Sequence, residues 1–244
     1  MRRCVSRLGF VVIVFSAAAA AHAQTVDEII AKNLEAKGGA EKWKSVSSVK
    51  TTGRISIQGG MELPLTIYAK RPNYMRQEMV MQDKQLVQAF DGTTGWLINP
   101  MTGSDAPRPL PGNAAELMKT GSDFDGSLIN YKEKGTTIDF VGKEKTEGAE
   151  VYHLKVTMKN GHVQHYFLDT NSGIELKTSA DVDMGTGQTQ TIETEMSNYQ
   201  QVDGIMVPHT VKQLVNGKPV VQMTIEKVEF NAQIDDALFR MPKN

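Results

Sequence analysis

The hydrophobic pattern of the chain changes near Ser47 from a helical period to a period of two. Before that point, Thr25 and Glu28 form a capping-box pattern, and apolar residues follow at helical spacing. This pattern predicts an amphipathic helix that ends at Gly38-Gly39. A second short helix is predicted over residues 40–45. Both helices are expected to pack on the core of a larger domain.

After the two helices, apolar and polar residues alternate, as they do in strands whose side chains point to opposite faces of a sheet. In the first predicted strand, Val49, Thr51, Gly53, Ile55 and Ile57 share one face. The segment from residue 68 to residue 100 continues the pattern with three further strand-like runs. One face of these runs is apolar, which makes it a candidate binding surface.

Turn signals at short intervals separate the later strands. The Asn-Gly pairs at residues 160–161 and 216–217 are strong signals for two-residue hairpins. Neighbouring strands that are joined by short turns pair antiparallel. We count about ten or eleven strands, so the sequence predicts one mainly-β domain, an antiparallel barrel or a deeply curved half-barrel.

One helical segment interrupts the strands. The proline-rich stretch from Gly103 to Gly112 suits neither a helix nor a central strand. A short helix follows, capped by Asn113 and ended at Gly121. A helix inserted among strands has to lie over a sheet face or over the mouth of a barrel.

The N-terminus has the pattern of an export signal. Three arginines precede an apolar run, residues 8–21, and a small-x-small pattern ends at Ala23. The apolar run is shorter than the roughly 20 residues that a spanning helix needs, which argues against the alternative of a retained membrane anchor. We therefore predict a cleaved signal peptide at residues 1–23, a single domain at residues 24–244, and a soluble periplasmic product of the Sec pathway.

Composition excludes several function classes. The lone cysteine, Cys4, lies in the predicted signal, so the mature chain has no disulfide, thiol nucleophile or cysteine metal ligand. The formal net charge of the chain is −1 and becomes more negative when the signal arginines are removed. A mildly acidic chain with scattered lysines argues against a nucleic-acid partner.

No convincing catalytic or metal site is present in the sequence. His162 and His165 are three residues apart on a predicted strand, so their side chains point to opposite faces. The carboxylate pairs Asp123/Asp125 and Asp181/Asp183 suit a cation, but solvated turn residues are the commoner explanation. The sequence also lacks a Gly-x-Ser-x-Gly elbow and a His-Glu-x-x-His helix. We expect no enzyme activity, no catalytic residue, no metal and no cofactor.

Methionines are frequent in or near the strands and the covering helices. Core packing explains them on general grounds, but methionine also suits surfaces that accept varied apolar ligands. Seven methionines fit this description: Met61, Met75, Met79, Met81, Met101, Met118 and Met158.

Four segments resemble LolA-type lipoprotein carriers and related outer-membrane lipoprotein-sorting proteins. They are Lys70-Arg71-Pro72-Asn73-Tyr74-Met75-Arg76, Asp91-Gly92-Thr93-Thr94-Gly95-Trp96-Leu97-Ile98-Asn99-Pro100, residues 199–208 and residues 237–242. The resemblance implies an incomplete antiparallel barrel with helices that form a lid over a hydrophobic cavity. It also implies a carrier that shelters acyl chains between two membranes without a catalysed reaction. In such carriers an arginine on a strand latches the lid, and both Arg54 and Arg76 are candidates.

We therefore expect a monomeric carrier of a lipid or a lipoprotein acyl group, with inner- or outer-membrane transfer partners. An alternative from another class is a lipid-sensing regulatory module of the same fold that binds a protein partner. The cavity is expected to be lined by Ile55, Ile57, Leu65, Ile67, Met79, Met81, Trp96, Ile98, Leu117, Met118, Leu154 and Val156.

Overall fold

The computed structural model describes residues 25–57, 60–146, 148–183 and 188–243. The predicted signal peptide, residues 1–23, lies outside these ranges. Three short helices and a single sheet of 13 antiparallel strands make up the described chain. The prediction of an incomplete antiparallel barrel with a few short helices is confirmed. The sheet has more strands than the ten or eleven expected, in part because the proline-rich stretch contributes an edge strand.

The helices are α1 (Val26–Ala36), α2 (Ala40–Lys44) and α3 (Gly112–Gly121). The first six strands are β1 (Ser48–Ile57), β2 (Met61–Lys70), β3 (Tyr74–Met81), β4 (Lys84–Asp91), β5 (Gly95–Asn99) and β6 (Ser104–Pro109). The other seven are β7 (Thr137–Thr146), β8 (Ala149–Thr157), β9 (Val163–Asp169), β10 (Glu175–Asp183), β11 (Thr189–Val202), β12 (Ile205–Val215) and β13 (Lys218–Phe230). Two 3₁₀ turns complete the set, at Pro100–Thr102 and Asp236–Phe239.

The strand order places consecutive strands β6 and β7 at the two edges of the sheet. From edge to edge the order is β6-β5-β4-β3-β2-β1-β13-β12-β11-β10-β9-β8-β7. Each half is a meander of hairpins, and the β1–β13 pair joins the halves. Residues 110–136, which we call the crossing segment, connect the two edges and include α3.

The junction between the halves depends on Gly53. The pairing of β1 with β13 contains an irregularity between Thr52 and Gly53, where one residue of β13 is unmatched. A Cβ atom at Gly53 would overlap the backbone oxygen of Thr224 and the Cα of Ile225. Only glycine allows the two backbones to approach this closely.

The two faces of the sheet follow from the strand register. On β1, Val49 and Thr51 face α2, because they line a pocket together with Trp43 of that helix. Residues that pair directly lie on the same face, so Ile67, opposite Thr51, belongs to this concave face as well.

The largest packed core lies on the concave face of β8 and β9. There the apolar side of α1 packs on strand residues and on part of the crossing segment. The fully packed members are Ile29, Ile30, Leu128, Tyr152, Leu154, Val156, Tyr166 and Leu168.

The opposite, convex face carries a second apolar cluster that the C-terminal 3₁₀ turn covers. Trp96 is fully buried there, and its indole Nε1 donates to the carbonyl of Phe239 at 2.7 Å. Arg76 lies 5.4 Å from the Trp96 ring and donates to the carbonyl of Leu238 at 2.9 Å. Its guanidinium also pairs with Glu78 at 2.6 Å. Arg76 thus fastens the C-terminal tail to the sheet.

None of the helices in the described ranges is long and apolar enough to cross a membrane.

Gly53→Ala is expected to lower the free energy of unfolding by about 1–3 kcal/mol, because an added methyl group forces the two halves of the sheet apart. Urea unfolding measures the loss. In the control Gly121→Ala the new Cβ meets nothing within 4 Å, so stability should change by no more than about 0.5 kcal/mol. Equal losses in the two variants would contradict the role of Gly53 at the junction.

Arg76→Ala is expected to destabilise the fold by roughly 3 kcal/mol, because Glu78 is left without a partner in a site where its side chain is only 17% exposed. Without Arg76 the tail should release Trp96, and the fluorescence of Trp96 should shift to longer wavelength. This is measured in a Trp43→Phe background, which removes the emission of the second tryptophan. The control is Arg54→Ala, since Arg54 is 61% exposed and its ion pairs are worth at most about 1 kcal/mol. An unshifted Trp96 emission would refute the tail contact.

Candidate functional site

A partly enclosed pocket of about 230 Å³ lies on the concave face, beneath the junction of α1 and α2. Most of its lining is hydrocarbon, and it draws on both halves of the sheet. The lining residues are Lys37, Trp43, Val49, Thr51, Glu175, Met196, Tyr199, Met206, Val207, Pro208, Val228 and Phe230. We call it the Trp43 pocket.

The wall that α2 supplies is held in place by tertiary contacts. A five-residue helix is unstable alone, so its position depends on what it contacts. Gly38, at φ 109°, lies so close to the carbonyl of Gly204 that a Cβ would overlap it. Nearby, the amide of Met206 donates to the carbonyl of Lys37 at 3.2 Å. The β11–β12 hairpin therefore fixes the α1–α2 junction.

Aromatic contacts surround the Trp43 ring. It meets Phe230 edge-on at 6.5 Å between ring centroids. On another side it lies 5.7 Å from Phe124 of the crossing segment. Trp43 thus forms the end of the pocket and connects the sheet with the crossing segment.

The two charged side chains of the pocket lining pair with each other. Lys37 and Glu175 form an ion pair at 3.3 Å, and the Tyr199 hydroxyl donates to the Glu175 carbonyl at 2.7 Å. Burial, reinforced by the charge of Glu175, raises the pKa of Tyr199 well above its ordinary value, so its hydroxyl stays neutral. The pocket therefore favours an apolar ligand over a charged one.

An apolar strip continues from the pocket along the concave face of β1, β2 and β3. It contains six of the twelve residues that the sequence predicted for the cavity: Ile55, Ile57, Leu65, Ile67, Met79 and Met81. Leu65 is buried, whereas Ile57 at the hairpin end is 37% exposed and the other four are half-buried.

The other six predicted residues lie elsewhere. Leu154 and Val156 are fully buried in the core under α1. Trp96 and Ile98 belong to the cluster on the convex face, because they pair with Ala89 and Val87 there. We therefore leave these four out of the proposed lining.

The remaining two are on α3, and both are half-buried. Leu117 borders a cavity of about 250 Å³ between α3 and the end of β10. Next to it, Asn113 donates to the carbonyl of Asp183 at 3.0 Å.

The lining of the Trp43 pocket was missed because it depends on long-range pairing. Val49 and Thr51 share a strand face with Ile55, and this alternation is the one sequence pattern that could have placed them in the pocket lining. Met196 and Val228 come from strands of polar appearance that reach the site only through the β1–β13 junction.

Arg71 joins the crossing segment to the helix end of the sheet. Its guanidinium pairs with Asp125 at 2.7 Å and donates to the carbonyls of Val46 and Trp43 at 2.6 and 3.1 Å. The guanidinium also lies 4.6 Å from the centre of the Phe124 ring. Burial raises the pKa of Asp125, but the hydrogen bond and charge of Arg71 outweigh it, and the net pKa is lowered.

The two arginines proposed as latches make other contacts. Arg54 pairs on the outer surface with Glu226 at 2.9 Å and with Glu62 at 3.8 Å. Arg76 does bind helical backbone, but that backbone belongs to the C-terminal 3₁₀ turn rather than to α3.

A larger cavity, of about 610 Å³, opens between α3 and the β8–β9 hairpin. Its rim is polar, with Lys119, Lys134 and Lys159 alternating with Glu116 and Asp123. It is larger and more open to solvent than the Trp43 pocket, which makes it less suited to enclosing a single hydrocarbon chain.

The histidines make one notable contact. Nε2 of His153 and Nδ1 of His165 are 2.7 Å apart on the convex face, and the His153 ring stacks on Phe167 at 4.6 Å. Across the described part of the chain, no group of three or more His, Cys, Asp or Glu side chains is placed to hold a metal ion.

Comparison with known proteins identifies the fold. No family model matches the sequence, and no curated protein matches it significantly. Solved structures do match, all at low identity. A domain described as an outer membrane lipoprotein-sorting protein, from Vibrio parahaemolyticus, is 14% identical with a TM-score of 0.58, over 87% of this chain and 94% of its own.

Two further structures agree with the first. A LolA superfamily protein from Nitrosomonas europaea is 12% identical with a TM-score of 0.57, over 86% of this chain and 96% of its own. A DUF1329 family protein from Desulfovibrio piger is 13% identical with a TM-score of 0.60, over 88% of this chain and 97% of its own. The chain has the fold of the LolA-like lipoprotein-sorting proteins.

Proposed function

We propose that this protein is a non-catalytic periplasmic carrier that shelters an acyl group of a lipid or lipoprotein. The observation that carries the proposal is the Trp43 pocket, a partly enclosed and mainly apolar space on the concave face whose two charged residues pair with each other. The similarity to a lipoprotein-sorting domain supports it.

Hydrocarbon burial supplies the binding energy. Each methylene removed from water contributes about 0.8 kcal/mol. Ordering the ligand and losing its free motion costs several kcal/mol of free energy. The acyl chain therefore has to be well enclosed before binding is tight. The pocket encloses part of such a chain, and the adjoining strip of β1–β3 shields more of it from water.

The crossing segment acts as the lid in this proposal. Its α3 end reaches both halves of the sheet, since Leu110 donates to the carbonyl of Gly95 and Asn113 donates to that of Asp183. Its middle is held by the Arg71–Asp125 pair. Arg71 therefore takes the latch role that the resemblance implied for Arg54 or Arg76.

The direct test is to purify the mature protein from its native compartment and to identify bound lipids by mass spectrometry. A reproducible acyl species is expected in the wild type and should be lost in Thr51→Phe, whose ring fills the pocket. The control is Thr52→Phe, because the neighbouring residue points to the other face of the same strand. A wild-type protein that is always empty, and that fatty acids do not stabilise, would refute the carrier function.

Asp125→Asn is expected to loosen the lid, lowering stability by roughly 1–2 kcal/mol and speeding the release of a bound fluorescent fatty acid. The folded-state pKa of Asp125 is depressed. Its contribution is therefore present above the pKa of the unfolded state and is lost as the pH falls through the folded-state value, below about pH 4. Stopped-flow release measures the rate.

Asp139→Asn on β7 is the matched control for the lid, because residue 139 is an exposed aspartate on an edge strand. It should leave the release rate and its pH dependence unchanged. Identical release from the Asp125 and Asp139 variants would show that the Arg71–Asp125 pair does not control the lid.

A further inference from the structure

The size of the Trp43 pocket limits the cargo. We infer that the pocket takes one acyl chain at a time and that Trp43 sets the length it encloses, about eight carbons. This inference rests on the proposed carrier function and narrows its substrate class to amphiphiles that present a single chain.

The volume of the Trp43 pocket limits how many methylenes it can hold. A methylene occupies about as much space as a water molecule, whose share of the liquid is roughly 30 Å³. The pocket volume of about 230 Å³ therefore holds about eight methylenes. Two or three chains of that length, as in a diacyl lipid or a triacylated protein, exceed the enclosed space.

The Trp43 side chain is held in a fixed position. Its ring lies against Phe230 and Phe124, and its carbonyl accepts a hydrogen bond from Arg71. A side chain packed on two sides and attached to a held backbone does not swing aside without loss of packing. The ring is thus a wall rather than a gate.

The other walls of the pocket direct the acyl chain along β1. The Lys37–Glu175 pair closes the polar side of the pocket. Beyond Val49 and Thr51, the concave face of β1 continues through Ile55 to Ile57, whose exposure of 37% marks the solvent end of the strip. Carbons beyond about the eighth would lie on this half-exposed strip, and the head group would remain outside.

This geometry predicts a break in the dependence of affinity on chain length. Inside the pocket each methylene should raise affinity about fourfold, which is the factor that corresponds to full burial. On the half-exposed strip each further methylene should raise affinity less than about twofold, since only part of its surface leaves water.

Calorimetric titration of the delipidated full-length mature protein with saturated fatty acids of six to sixteen carbons, below their micelle concentrations, tests the inference. The wild type should show the break near eight to ten carbons. Trp43→Ala should move the break to longer chains by two or more carbons, because removal of the indole extends the pocket. Dioctanoyl phosphatidylcholine should bind no better than octanoate.

Thr51→Leu is the second variant, in case the loss of Trp43 weakens the fold. The larger side chain should move the break to shorter chains, while Thr52→Leu on the other face of β1 should leave it in place. Thermal unfolding establishes that each variant is folded before titration.

Three results would overturn the inference while leaving the carrier function intact. They are a constant fourfold gain up to sixteen carbons, a break that neither Trp43→Ala nor Thr51→Leu displaces, and tighter binding of the two-chain lipid. Failure of every fatty acid and of the two-chain lipid to bind would overturn the carrier function together with this inference.

Discussion

Strands β1 and β13 come from opposite ends of the described chain, and their antiparallel pairing joins two hairpin meanders into one curved sheet. The backbones meet closely at Gly53, where only a hydrogen atom fits against Thr224. The Trp43 pocket depends on this contact. The Trp43 pocket has Val49 and Thr51 on one side of the junction and Val228 and Phe230 on the other.

The sheet is open, and its two edge strands, β6 and β7, are consecutive in sequence. Residues 110–136 connect β6 with β7, so this segment, rather than a strand pair, spans the gap. It is attached at its start by the backbone hydrogen bond from Leu110 to Gly95 and near its middle by the Arg71–Asp125 ion pair, and Leu128 is buried in the core under α1. Its α3 part has no buried side chain and therefore opens at lower free energy than a paired strand does.

The convex face has its own apolar cluster, and the C-terminal tail covers it. Trp96 is buried there by Phe239, and Arg76 bonds the tail backbone. Burial alone therefore does not separate binding surface from core in this protein. The Trp43 pocket stands out because it is mainly apolar and partly enclosed and yet incompletely filled by its own side chains.

Local pattern determined the elements of this protein. Alternation along the strands, the Asn-Gly turns and the capping box at Thr25 act over a few residues, so the sequence alone sufficed to predict a mainly-β sheet with short helices. It did not determine which faces meet. Trp96 and Leu65 are both apolar strand residues, but the accumulated register of β2 to β5 sends them to opposite faces. Only tertiary pairing over more than a hundred residues brings Trp43, Val49 and Val228 together, because that contact is fixed by the pairing of β1 with β13 and not by neighbouring residues.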